Sequence, residues 1–222
     1  MADINGGRRR FTFLCYGDSN THGTRPMRHP SDLARYRAHR RWPGRLATAL
    51  SSSAKVIEAG HPGRTTVFDD PVEGAHKNGL AILPAVLESH RPVDVVILML
   101  GTNDVKRRFS VTPWDISRGV ERLVLAIGAS NCGRDGMPPG VFLVSPAPIM
   151  ETGCLAEQFE GGAEKSRRLA AHLAEVARLH GCGFLDAGAH ASVDPVDGVH
   201  LSSDSHAALA EALAAALRPL ID

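Results

Sequence analysis

Residues 11–23 read FTFLCYGDSNTHG, an apolar run that stops at a glycine and a cluster of short polar side chains. The stretch 11–16, Phe-Thr-Phe-Leu-Cys-Tyr, is rich in aromatic and β-favouring residues and reads as a buried strand. Gly17 lets the chain turn sharply where that strand ends. Ser19 then falls on the turn, with its hydroxyl over the edge of a sheet. A serine in that position is either a helix N-cap or a nucleophile, and the turn alone does not choose between them.

Working outward, the same strand–turn–helix theme recurs along the chain. Further strands are expected at 55–58, 93–100, 141–144 and 184–186. The third of the five, VDVVILML, is apolar almost without interruption, as a central strand covered on both faces should be. Helices are expected at 42–50, 78–89, 113–129 and 163–180, and from Ser203 or Asp204 to 217. Leu80, Leu83, Val86 and Leu87 recur at helical spacing, as do Ile116, Val120, Leu123, Val124 and Ile127. Pro84 is positioned to kink the second helix, and Gly181 to close the fourth. The stretch 24–41 is rich in Arg, His and Pro and reads as a long loop, with a short helix around 32–36. Strict alternation of strands and helices argues for an α/β fold: a five-stranded parallel sheet with helices on both faces. One domain over 1–222 is expected, with 1–9 as a flexible N-terminal tail.

Composition narrows the function classes. The chain is 43% hydrophobic and 22% charged, with a formal net charge of +1, so no nucleic-acid partner is expected. Arg8-Arg9-Arg10 and the basic stretch 35–45 read as solvated surface. The four cysteines, Cys15, Cys132, Cys154 and Cys182, include no C-x-x-C pair. Buried free thiols in a reducing compartment are expected rather than a zinc site or a disulfide framework. The first residues contain no apolar signal core, and no run approaches the roughly 20 apolar residues of a membrane span. A soluble cytoplasmic protein without a membrane partner is the expectation.

In open α/β sheets, ligands bind at the carboxyl ends of the strands. Ser19 follows the first strand, Gly63 the second, Asn103 the third, and Asp197 with His200 the fifth. Asp197 and His200 are separated by Gly198-Val199, a spacing at which a carboxylate reaches the imidazole Nδ1 and leaves Nε2 as a base. Asp194 is a competing orienter that needs a wider loop. With Ser19 these residues make a nucleophile–base–orienter set for acyl transfer. The backbone N–H groups of Ser19 and Gly63 and the side-chain amide of Asn103 are candidate oxyanion donors. Asn103 reads equally as a turn residue or cap, and Asp104 as a brace for its loop. No GxGxxG follows the first strand, and Thr21 replaces the second glycine of a G-x-S-x-G elbow.

This set resembles the SGNH hydrolases, also called the GDSL esterase/lipase family. Its blocks stand here as Gly17-Asp18-Ser19, Gly63, Gly101-Thr102-Asn103-Asp104 and Asp197-Gly198-Val199-His200. Segments such as RWPGRLA, VIEAGHPGRTTVFDDP, FEGGAEKSRRLA and DGVHLS are similar to the bacterial arylesterase and acyltransferase branch, which includes carbohydrate acetylesterases. The resemblance implies a flavodoxin-like three-layer α/β/α sandwich and a serine esterase that needs no metal or cofactor. It implies a small-molecule ester substrate of the acetyl type, an acyl-enzyme intermediate, and assembly into a homo-oligomer. Asp18, Asn20, His22, Thr24 and Phe159 are the substrate-binding candidates. Asn20 replaces the leucine usual after the serine, and His22 and Thr24 stand where that branch often carries tryptophans, which suggests a more polar pocket. Phe159 reads either as a channel-lining aromatic or as a helix-packing one. The alternatives are a non-catalytic carbohydrate- or ester-binding protein on this fold, and a thioesterase or lysophospholipase.

Overall fold

The computed structural model describes residues 10–51 and 53–221; the expected tail at 1–9, with Arg8 and Arg9 of the basic cluster, lies outside them. The strands are β1 (Phe11–Gly17), β2 (Ala54–Gly60), β3 (Val95–Met99), β4 (Gly140–Ser145) and β5 (Gly183–Asp186). They form one sheet in the order β2-β1-β3-β4-β5, and every pairing is parallel. The helices are α1 (Ser19–His22), α2 (Trp42–Leu50), α3 (Gly79–His90), α4 (Pro113–Gly128), α5 (Gly162–His180) and α6 (Ser203–Leu217).

Side chains alternate across each strand, so one sheet builds two cores. Leu14 and Tyr16 of β1 and Val96 and Leu98 of β3 point to one face, where α3, α4 and α5 cover them with Leu83, Ile116, Leu123 and Leu173. Phe13, Cys15, Val95 and Ile97 point to the other, against Trp42 and Leu46 of α2 and Leu209 and Leu213 of α6. The result is the α/β/α sandwich. The winding direction reverses between β1 and β3, which leaves a crevice at their carboxyl ends.

Local sequence explains the helix ends. Thr112 and Asp115 form a reciprocal capping box at the start of α4. Gly181 adopts φ 63° and closes α5. Pro84 lies inside α3, which continues through it to His90.

The helix expected at 32–36 does not form. Thr24 and Arg35 instead make an antiparallel bridge, with Arg25 N–H donating to Ala34 O and Tyr36 N–H to Gly23 O. Asp32 accepts from the N–H groups of Arg28 and His29, which tightens the loop tip. These bonds satisfy the backbone without a helix, and the only helical turn in this stretch is a 3-10 segment at Ala38–Arg40.

Candidate active site

The turn after β1 is fixed by its neighbours. Asp18 caps α1 by accepting from Asn20 N–H at 2.9 Å, so Ser19 is the first residue of the helix and not its cap. A Cβ on Gly17 would lie 2.0 Å from Thr21 Oγ1 and 2.9 Å from Met99 O, so only glycine allows this approach of α1 to the sheet. Ser19 is thereby held at the crevice beside the switch point.

The segment after β2 carries Gly63 at φ 78°, in the left-handed region that favours glycine. After β3, Asn103 begins a 3-10 turn, Asn103–Val105, and donates from Nδ2 to Arg64 O at 3.0 Å. That bond uses one amide hydrogen, fixes the plane of the group and leaves the other hydrogen to point elsewhere. Asp104 is fully buried and accepts from both the N–H and the hydroxyl of Thr66. Burial pushes its carboxyl up to about 6, against the pull of the Thr66 hydrogen bonds. It braces the loop.

His200 comes from the loop after β5. Its Nδ1 lies 2.7 Å from Asp197 Oδ2, and Asp197 Oδ1 accepts from the N–H groups of Val199 and His200. Met27 N–H donates to Asp197 Oδ2 at 2.7 Å. Burial works to raise the Asp197 carboxyl, but its hydrogen bonds and the His200 charge hold it below the ordinary carboxylate value. Asp194 is used differently: its carboxylate accepts from Val196 N–H and its own N–H donates to His200 O. Ser19, Gly63, Asn103 and His200 line one cavity of about 430 Å³.

Comparison with known proteins adds a family to this geometry. The sequence profile of the GDSL-like lipase/acylhydrolase family matches residues 15–208. The chain belongs to this family. An inhibitor-bound aryl esterase from M. smegmatis is 38% identical to this chain, with a TM-score of 0.90 over 95% of this chain and 99% of that one. A carbohydrate acetylesterase from Sinorhizobium meliloti is 37% identical, again with a TM-score of 0.90, over 95% of this chain and all of that one (100%). A lipolytic G-D-S-L protein from Veillonella parvula, at 16% identity and TM-score 0.61, shares the fold alone. No curated protein matches the chain significantly. The protein is a carboxylic ester hydrolase acting on small-molecule esters. Among the described residues no helix is long and apolar enough to cross a membrane.

The remaining candidates of the esterase divide by position. His22, Thr24 and Phe159 line the cavity, and Phe159 is at the same time fully buried. Burial, reinforced by the charges of Arg35 and Arg41, lowers His22 to about 4. Asp18 and Asn20 do not line the cavity. Asp18 is consumed as the cap of α1. Asn20 donates to Val199 O at 3.0 Å and accepts from Leu201 N–H at 2.9 Å, bracketing His200 from both sides.

Sequence reasoning missed the charged wall of the cavity. Lys106 is 2% exposed, lines the cavity and pairs with Glu73, which lines it too. Arg108 and the buried Asp70 join that pair. The available signal was the lysine placed directly after the Asn103 turn, where an exposed loop cation is the ordinary reading.

Proposed function

We propose that the esterase hydrolyses short-chain, acetyl-type esters of aryl alcohols or sugars through Ser19, His200 and Asp197. The observation that carries this reading is the 2.7 Å contact of Asp197 Oδ2 with His200 Nδ1, on a loop that shares a cavity with Ser19. Asp197 accepts at Nδ1 and so fixes the tautomer in which Nε2 is the base. Nε2 takes the Ser19 proton as Oγ attacks the ester carbonyl. The tetrahedral oxyanion is held by the N–H groups of Ser19 and Gly63 and by the second hydrogen of the Asn103 amide. His200 then protonates the leaving alcohol, and the acyl group stays on Ser19. Water, deprotonated by His200, attacks the acyl-enzyme and releases the acid.

Pocket size and polarity support short acyl groups and hydrolysis over transfer. The cavity of about 430 Å³ is walled mainly by apolar surface, but His22, Thr24, Glu73 and Lys106 stand within it and give water access to the site. Some acyl transfer to alcohols remains part of the proposal. Assembly into a homo-oligomer is proposed from the resemblance to the arylesterase branch, and light scattering on the eluting protein checks it. A cytoplasmic location is proposed on the four free thiols, Cys15, Cys132, Cys154 and Cys182.

The test is a panel of p-nitrophenyl esters of increasing acyl length together with acetylated sugars and aryl acetates. The expected result is turnover concentrated on acetyl to butyryl esters. Turnover that rises with long acyl chains or is confined to thioesters would contradict the proposal.

A further inference from the structure

We infer that Arg64 is a positioning residue that holds the oxyanion donors in register with one another. The inference rests on the oxyanion role proposed for Asn103 and Gly63. Arg64 is 6% exposed and follows Gly63 directly. Burying an arginine is costly unless its donors meet acceptors; Nε is left without one, and the acceptors that Nη1 finds are informative. Nη1 donates to Gly17 O at 2.8 Å and also to Ala59 O. Gly17 is the last residue of β1, one step before Asp18 and Ser19. Ala59 lies near the end of β2, where the Gly63 segment begins. The guanidinium stacks 4.1 Å above the Tyr16 ring, whose hydroxyl is anchored to Gly79 O at 2.7 Å. The backbone carbonyl of the same residue takes the Asn103 amide hydrogen.

One residue therefore touches each strand end that supplies a donor. Its side chain ties the Ser19 turn to the Gly63 segment, and its carbonyl sets the plane of the Asn103 amide. His61 N–H adds a second tie to Gly17 O at 3.0 Å, so the segment is held even before the guanidinium is considered. The guanidinium does not touch the cavity that holds Ser19 and His200; Arg64 is absent from its lining. Its effect is expected to pass through the donors, which are useful only when aimed together at one point. A shift of about 1 Å in such a group can cost roughly 10²-fold in rate.

The experiment is a double-mutant cycle on p-nitrophenyl acetate hydrolysis with wild type, Arg64→Met, Asn103→Ala and the double variant. Thermal unfolding is recorded for each, and Arg64→Lys is carried in parallel. The expected result is a kcat loss of roughly 10- to 100-fold in Arg64→Met with KM changed less than about threefold. In the Asn103→Ala background, the same substitution is expected to cost less than it does alone, because one of the three donors held in register is gone while those of Ser19 and Gly63 remain. If Arg64→Met does not fold, Arg64→Lys is expected to give the same coupling, since the shorter lysine lacks both the reach of Nη1 and the guanidinium plane stacked on Tyr16. Wild-type kcat in a folded Arg64 variant, or losses that multiply across the cycle, would overturn the inference about Arg64 alone. Wild-type kcat in Asn103→Ala would instead overturn the oxyanion reading and this inference with it.

Discussion

At the scale of single residues, the proposal turns on which group holds His200. Asp197 Oδ2 contacts Nδ1 at 2.7 Å, whereas Asp194 closes the turn through Val196 N–H and its own backbone. Asp197→Asn is expected to lower kcat by roughly 10⁴-fold, because an amide that donates to Nδ1 selects the wrong tautomer. Asp194→Asn is expected to leave kcat near wild type, and steady-state kinetics on p-nitrophenyl acetate compare the two. Asn103→Ala is expected to cost roughly 10²–10³-fold in kcat, the usual cost of one oxyanion donor. The residues that line the cavity from strand ends were legible because turns rich in Gly, Ser, Asn and Asp interrupt apolar runs there. Lys106 was not, because its burial depends on Glu73 and Asp70, thirty or more positions earlier in the chain.

At the scale of elements, Asn20 shows what local sequence leaves out. It reads as a substrate-binding candidate because it adjoins Ser19, yet its side chain spans to Val199 O and Leu201 N–H, a separation of 179 and 181 residues. The first turn of α1 and the His200 loop are thus one mechanical unit. Asn20→Ala would leave a buried carbonyl and N–H unpaired, a loss of about 1–3 kcal/mol that chemical denaturation measures. The loosened base is expected to lower kcat by roughly 10- to 100-fold. The loop 24–41 carries the same lesson. Its backbone bonds run between its own two arms, to Asp32 and, from Met27 N–H, to Asp197 of the His200 loop, and no periodicity announces them. The strands and helices were legible where period and burial coincide, as in the five buried residues of β3, Val95–Met99.

At the scale of the whole molecule, the esterase buries titratable groups whose protonation opposes folding in acid. Burial comes first among the causes that lower His22 and His61 to about 4 and His206 to about 3. His206 is held neutral where its Nδ1 accepts from Trp42 N–H at 3.3 Å. Unfolded histidines take up protons near pH ~6.5, so the native state loses stability as pH falls from about 6.5 towards 4. Asp104 works in the opposite direction. Its raised value makes its contribution greatest in acid, and that contribution fades as pH rises from about 4 towards 6. Burial raises Asp18 as well, and the three histidines outweigh the two carboxyls, so Tm is expected to fall between pH 7 and pH 5. His206→Gln is expected to lower Tm at pH 7 and flatten that slope, as differential scanning calorimetry across the range would record. The doubly wound order β2-β1-β3-β4-β5 follows from parallel strands with helical crossovers, and it brings the ends of β1 and β3 to one crevice.

The central claim is that Ser19 carries the acyl group during turnover. Acid-quenching the protein during hydrolysis of p-nitrophenyl acetate, followed by peptide mass spectrometry, tests it directly. The account predicts one acetyl group on Ser19, absent from Ser19→Ala together with turnover. An acetyl group on another residue, or steady hydrolysis by a folded Ser19→Ala protein, would contradict it.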